Sequence, residues 1–308
     1  MVVFSGSSNI SLSEKIARQL KLPLSPLEIH IFPDGERRVR VPESVVGKNT
    51  VVVQSLAKPV DQNYMEFFFI ADALKRSGAE NVTAVLPYLG YQRQDHVFRS
   101  GEAVSLDVIV KFLEKVGVNN IITFDLHSIK IPEFFHIPIK HLSALSLFAE
   151  KIREIGKVAN LWDVILVSPD MGGIRRIKIL AELLGNVAYC VIEKERDLES
   201  GEVRANKLVD LPDNTDLRGK TAVVVDDMIS SGGTIAIASE FLEKRGVSEV
   251  YVFATHAVFS EDAPKVLSKP SIIKKVFVTD TVCVPKEKQF EKLEILSVSK
   301  MIADKLKE

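Results

Sequence analysis

The sequence predicts an α/β protein made of two similar halves with mainly parallel sheets. Three observations point there. Short β-branched runs alternate with amphipathic helical patterns along the whole 308 residues. The apolar strands are continuous rather than alternating, as expected for strands covered by helices on both faces. Finally, Phe112-Leu113-Glu114-Lys115-Val116-Gly117-Val118 recurs as Phe241-Leu242-Glu243-Lys244-Arg245-Gly246-Val247, an offset of 129 residues that also carries His127 onto His256. Similarity that holds register over such a distance suggests internal duplication.

Taken in order, Met1 to Gly6 reads as a first strand and turn. Further strands are predicted at Thr50–Gln54, Val82–Leu86, Ile121–Phe124, Val164–Val167, Val187–Ile192, Thr221–Val225, Val250–Ala254 and Val276–Val278. The 3.6-residue apolar period predicts helices at Tyr64–Ser77, Leu106–Val116, Leu145–Ile155, Ile174–Leu184 and Ile235–Lys244. The expected domains are residues 1–143 and 144–295, followed by a C-terminal helix within 296–308 that would pack back on the first.

Composition narrows the function classes. Hydrophobic residues make up 46% and charged residues 26%, with a formal net charge of −1, so no basic excess suggests nucleic-acid binding. No apolar run approaches the roughly 18 residues of a membrane span, and the N-terminus lacks the pattern of a signal peptide. A soluble cytoplasmic protein is therefore expected. The two cysteines, Cys190 and Cys283, lie in apolar strand-like runs and read as buried free thiols rather than a disulfide or metal site.

The strongest chemical signal is Val223-Val224-Val225-Asp226-Asp227-Met228-Ile229-Ser230-Ser231-Gly232-Gly233-Thr234. An apolar strand ends in two acids, and a loop of small residues opens into a helix. Glycines let backbone N–H groups approach an anion, hydroxyls add donors, and the helix N-terminus faces the same point. The loop is thus a candidate phosphate cup. Two carboxylates beside it would repel a polyphosphate but suit the paired hydroxyls of a sugar carrying one phosphate. The P-loop pattern is excluded, because its lysine is absent.

This stretch resembles the phosphoribosyl-pyrophosphate loop of the type I phosphoribosyltransferase fold, which serves both transferases that consume that compound and the synthetase that makes it. Five further motifs precede it in order: Phe32-Pro33-Asp34-Gly35-Glu36, Tyr91-Gln92-Arg93-Gln94-Asp95, Asp125-Leu126-His127, Ser168-Pro169-Asp170-Met171-Gly172-Gly173 and Lys194-Glu195-Arg196. Together they resemble the ribose-phosphate diphosphokinase (phosphoribosyl pyrophosphate synthetase) family over essentially the whole chain. Glu195 between the two cations is similar to archaeal-type members.

The resemblance implies two phosphoribosyltransferase-like domains and a set of roles. Asp226 and Asp227 would hold the ribose hydroxyls, and Ser230, Ser231, Gly232, Gly233 and Thr234 the 5-phosphate of ribose 5-phosphate. Phe32, Asp34, Gly35 and Glu36 would contact ATP, usually from a neighbouring subunit of a homo-oligomer, and Arg93 and Gln94 would also bind ATP. His127 and Asp170 would ligate Mg2+. Lys194 and Arg196 would be catalytic, on a lid followed by the acidic loop Leu198–Glu202, with Arg196 also near ribose 5-phosphate.

Each residue has a plainer reading too. His127 alone reads as a strand-end histidine, Lys194 to Arg196 as a solvated charge cluster, and Phe32 to Gly35 as a tight turn. His30, His136 and His141 match no motif and read as structural. Two rival functions stay open: a phosphoribosyltransferase, which would lack the ATP motifs, and a non-catalytic regulatory relative, which would carry insertions or a damaged lid.

Overall fold

The predicted apolar runs pair as strands of two separate sheets in the computed structural model, which describes residues 1–156, 163–196, 203–211, 215–260 and 262–308. The chain divides into two units: residues 1–142 with 281–283 and 297–308, and residues 143–280 with 284–296.

The first unit contains β1 (Val2–Ser5), α1 (Ile10–Leu20), β2 (Leu24–Ser25), β3 (Glu28–Ile31), β4 (Arg37–Arg40), β5 (Asn49–Val53), α2 (Val60–Arg76), β6 (Asn81–Val85), α3 (Ser105–Lys115), β7 (Asn120–Phe124) and β8 (Ile139–Leu142). Its main sheet has the order β2-β1-β5-β6-β7-β8 and is parallel throughout. Strands β3 and β4 form a separate antiparallel hairpin. The sequence reading missed this hairpin because Glu28, Arg37, Arg38 and Arg40 leave it no apolar run.

The second unit contains α4 (Leu145–Gly156), β9 (Val164–Ser168), α5 (Ile174–Leu183), β10 (Tyr189–Arg196), β11 (Val203–Val209), β12 (Thr221–Ile229), α6 (Gly233–Glu243), β13 (Glu249–Ala257), α7 (Ala263–Ser268), β14 (Ile273–Thr279) and β15 (Leu293–Leu296). The order is β11-β10-β9-β12-β13-β14-β15, parallel except for the edge pair β10/β11. Apolar side chains cover both faces of this sheet. One core lies around Ile165, Val224, Leu242 and Val252, the other around Phe148, Leu166, Val223 and Phe253. That two-sided burial is why the strands read as unbroken apolar runs.

Both sheets share one topology, but not in the register that the repeated segment suggests. Position by position, β12-α6-β13 corresponds to β5-α2-β6, so the matching stretches α3–β7 and α6–β13 are one strand–helix step apart. What they share is local. Each helix is followed by a glycine in the left-handed region, Gly117 at φ 95° and Gly246 at φ 82°, and then by a buried valine two residues before the next strand. The histidines consequently differ in setting: His127 is exposed beyond β7, and His256 is fully buried within β13.

The cysteine expectation is half right. Cys190 is buried in β10, and burial pushes its thiol up to about 12. Cys283, by contrast, is exposed. It lies beyond the end of β14, between the buried Val282 and Val284, and points the other way. No helix among the described residues is long and apolar enough to cross a membrane.

Helix α8 (Ser299–Lys307) returns to the first unit and packs on α1, burying Ile302 and Ala303 completely. Truncating a fully buried isoleucine costs about 2–5 kcal/mol. Ile302→Ala should therefore lower stability by that amount in urea denaturation. A change below about 0.5 kcal/mol, the level of an ordinary surface substitution, would contradict this packing.

Candidate active site

In the second unit, the site is built where β12 outruns its neighbour. Pairing with β9 ends at Val224 opposite Val167, whereas pairing with β13 continues through Asp226, Met228 and Ile229. The chain leaving β9 turns away at Ser168, and Asp170 caps a short 3-10 turn by accepting from the Gly172 amide at 3.1 Å. A Cβ at Gly173 would lie 2.3 Å from the Ser168 hydroxyl and would force that hydroxyl to move. Asp226 and Asp227 therefore emerge at a strand end open on one side, as expected of the crevice at the carboxyl end of an α/β sheet.

The two acids are closely held. Their side chains are 14% and 6% exposed, and the Asp227 amide donates to Asp226 Oδ1 at 2.8 Å. Arg176, in the first turn of α5, lies 3.3 Å from Asp226 and 3.6 Å from Asp227. Burial first, and Asp227 next, push the Asp226 carboxyl well above its ordinary value of 3.8; Arg176 opposes this shift and Asp170 adds to it. The sequence reading missed Arg176, whose only signal was its position three residues after Gly173.

The following loop runs from Ser230 into the N-terminus of α6. Gly232 adopts φ 81° at the N-terminus of α6, and a Cβ there would meet Leu267 at 3.2 Å. The Ser231 hydroxyl faces the Gly233 amide at 3.5 Å. The Ser230 hydroxyl bonds Ser260 at 2.9 Å, and the Ser260 amide donates back to the Ser230 carbonyl. Thr234 lies partly buried in the first turn of α6, whose leading N–H groups have no intrahelical partner. Lys194 and Arg196 are backbone members of β10, opposite Ala205 and Val203. Their side chains, and the acidic loop at 197–202, lie outside the described residues.

The other predicted residues fall in the first unit. Phe32, Asp34, Gly35 and Glu36 form the turn of the β3–β4 hairpin, where Gly35 has φ 93° and Asp34 accepts from the Glu36 amide at 3.1 Å. Phe32 is exposed, flanked by His30 and by the Arg38 guanidinium 5.8 Å from its ring centre. A cleft of about 400 Å3 lies between this hairpin and α2, lined by Gly35, Glu36, Arg37, Asp61, Gln62 and Met65 among others. Arg93 and Gln94 are exposed on a tight turn closed by the Gln94 amide and Tyr91 carbonyl, and the Gln94 carbonyl accepts from Leu106 at the start of α3. The hydroxyl of Tyr91 donates to Asp61, which raises its pKa.

The acids fit a hydrated divalent cation. Among the described residues, no three of His, Cys, Asp and Glu converge as a metal-ligand group. Magnesium retains several waters and needs only one or two carboxylates, and Asp170, whose charge is felt by Asp226, would be one such carboxylate.

The known relatives agree with one another. Residues 1–117 match the model of the N-terminal domain of ribose phosphate pyrophosphokinase, and residues 192–308 that of the phosphoribosyl synthetase-associated domain. The ribose-phosphate pyrophosphokinase of Fusobacterium nucleatum is 38% identical over 302 residues, covering 98% of this chain and 92% of the relative. The chain belongs to the ribose-phosphate pyrophosphokinase family. The corresponding protein of Synechococcus elongatus is 36% identical, covering 98% of this chain and 88% of its own. The crystal structure of phosphoribosylpyrophosphate synthetase from Mycobacterium smegmatis superposes with a TM-score of 0.90 at 34% identity, covering 99% and 97% of the two chains. The transferase rival, which would match a single half, is set aside by this end-to-end similarity.

The acid pair sets a trade-off between stability and function. A folded-state value above the unfolded one stabilises fully below the unfolded value, and that contribution is lost as pH rises through the raised one. At neutral pH the buried Asp226 is thus a burden to the fold. Asp226→Asn should raise the unfolding midpoint near pH 7, with the gain fading as pH falls towards about 4. Thermal melts across that range test it; a lower midpoint at neutral pH would mean that Arg176 outweighs burial.

Proposed function

We propose that the chain transfers the β,γ-diphosphoryl group of ATP to the C1 hydroxyl of ribose 5-phosphate, giving phosphoribosyl pyrophosphate and AMP. The observation that carries this is the Asp226–Asp227 pair running directly into the glycine and hydroxyl loop of α6, within a chain similar end to end to ribose-phosphate pyrophosphokinases. Carboxylates accept hydrogen bonds from sugar hydroxyls, and the loop donors hold the 5-phosphate, which fixes the direction in which C1 is presented.

The C1 oxygen bonds to the β-phosphorus, and the bond from that phosphorus to the oxygen bridging the α-phosphate breaks. Its electron pair leaves on AMP, and the proton of the C1 hydroxyl is released to solvent. Such a displacement asks the protein for alignment and charge neutralisation rather than a covalent intermediate. Lys194 and Arg196 would neutralise the charge that develops on the leaving phosphate. Phe32, Asp34 and Glu36 would contact the adenosine part of ATP, with Arg93 and Gln94 as further ATP contacts. The exposed hairpin turn that carries Phe32 supports its use in trans, by a neighbouring subunit of a homo-oligomer.

His127 and Asp170 would hold Mg2+, which when bound to the nucleotide screens its phosphates and makes the β-phosphorus more electrophilic. The regulatory alternative is disfavoured because Asp170, Asp226, Asp227 and the loop glycines are all in place.

Phosphorus NMR with ATP, ribose 5-phosphate and Mg2+ tests the reaction directly. AMP and a sugar-linked diphosphate, with no ADP, are expected; no turnover across several divalent metals would point to the regulatory relative. Lys194→Ala should lower kcat by about 10²–10³-fold, the scale of removing one transition-state contact, with ATP binding little changed by calorimetry. An unchanged rate would remove this lysine from the chemistry.

A further inference from the structure

We propose that Gln92, a residue of the Tyr91–Asp95 motif without an assigned role, is a positioning residue that sets the presentation of His127. The side chain of Gln92 is 1% exposed, and its Oε1 accepts from the backbone amide of His127 at 2.9 Å. The orientation of the Gln92 amide group is fixed by this contact, because only its oxygen can face an N–H donor. Its Nε2 is buried with no hydrogen-bond partner among the described residues. The side chain is therefore retained in a buried site at a desolvation cost that its single accepted bond must justify.

The turn that Gln92 holds is strained. Asp125, at the end of β7, adopts φ 29°, outside the usual range of a residue with a side chain, and such conformations persist only where the surroundings over-determine them. Three hydrogen bonds of this turn are defined among the described residues. The Asp125 amide donates to the Leu142 carbonyl at 3.0 Å, the Leu126 amide to His141 Nε2 at 3.0 Å, and the His127 amide to Gln92. Both side-chain contacts are partly buried, but their acceptors differ: His141 is exposed, whereas Gln92 is 1% exposed, so an acceptor lost at Gln92 is less readily replaced by water. Gln92 is thus the contact whose loss this turn can least make good.

Gln92 also links two elements of the proposed site. It sits between Tyr91, in the left-handed region at φ 63° and bonded to Asp61, and Arg93, exposed on the same turn. Through its side chain, the turn that exposes Arg93 and the turn that exposes His127 become one rigid piece.

The functional part of this inference rests on the reading of His127 as a magnesium ligand, and the test separates the two. Gln92→Leu removes the acceptor at similar volume, Gln92→Glu keeps an oxygen there, and His141→Ala is the exposed comparison. By amide hydrogen exchange, His127 should lose at least tenfold protection in Gln92→Leu, keep most of it in Gln92→Glu, and change little in His141→Ala. Unchanged protection in Gln92→Leu overturns the proposal. By turnover, Gln92→Leu should raise the Mg2+ concentration for half-maximal activity about tenfold, and this effect should vanish in a His127→Ala background. A Gln92→Leu effect that persists undiminished there would show general loosening and overturn the positioning role. If His127→Ala alone leaves the Mg2+ requirement unchanged, the metal reading fails, while hydrogen exchange still decides whether Gln92 holds the turn.

Discussion

The proposed chemistry depends on one imbalance of strand length. β12 is gripped by β13 as far as Ile229 but released by β9 after Val224. Asp226 and Asp227 fall in that interval, where the backbone is still satisfied by a ladder while one flank lies open. The ladder keeps two adjacent carboxylates close together, and burial keeps them short of solvent. One guanidinium answers both, with Asp170 adding a further negative charge nearby. A hydroxyl-rich ligand can relieve such a site by donating hydrogen bonds.

The first unit shows the same topology put to another use. The position equivalent to the β12–α6 loop is the junction of β5 and α2, where Gln54 and Ser55 replace the acids. Their polar groups are satisfied internally. Gln54 bonds Ser8 and Glu66, and the Ser55 hydroxyl donates to the Thr281 carbonyl. Glu66, 2% exposed, takes the Ser7 amide at 2.7 Å and the Ser7 hydroxyl at 2.9 Å. A carboxylate of the chain itself thus occupies the donors of Ser7, in the 3-10 turn that leads into α1.

Much of this was legible in the sequence, for a physical reason. Strands buried on both faces must be continuously apolar, so the parallel sheets and their order of appearance could be read directly. The α6 loop was legible because glycine, hydroxyl and acid residues are consecutive there. Relations made by folding were not legible. Arg176 reaches its acids across 50 residues of chain, Gln92 reaches His127 across 35, and neither distance leaves a local pattern. The repeated FLEK segment misled for the opposite reason: a helix-ending glycine and the strand after it look alike at any position in such a fold. The charged β3–β4 hairpin and the edge strand β11 escaped because they are only partly buried.

The return of α8 to α1 bears on biosynthesis. The apolar face of α1 is made within the first twenty residues, yet its covering helix is made only after the whole second unit. The α1–α8 contact therefore forms only once the intervening residues have been added, and closure of the first unit is coupled to completion of the unit inserted within it.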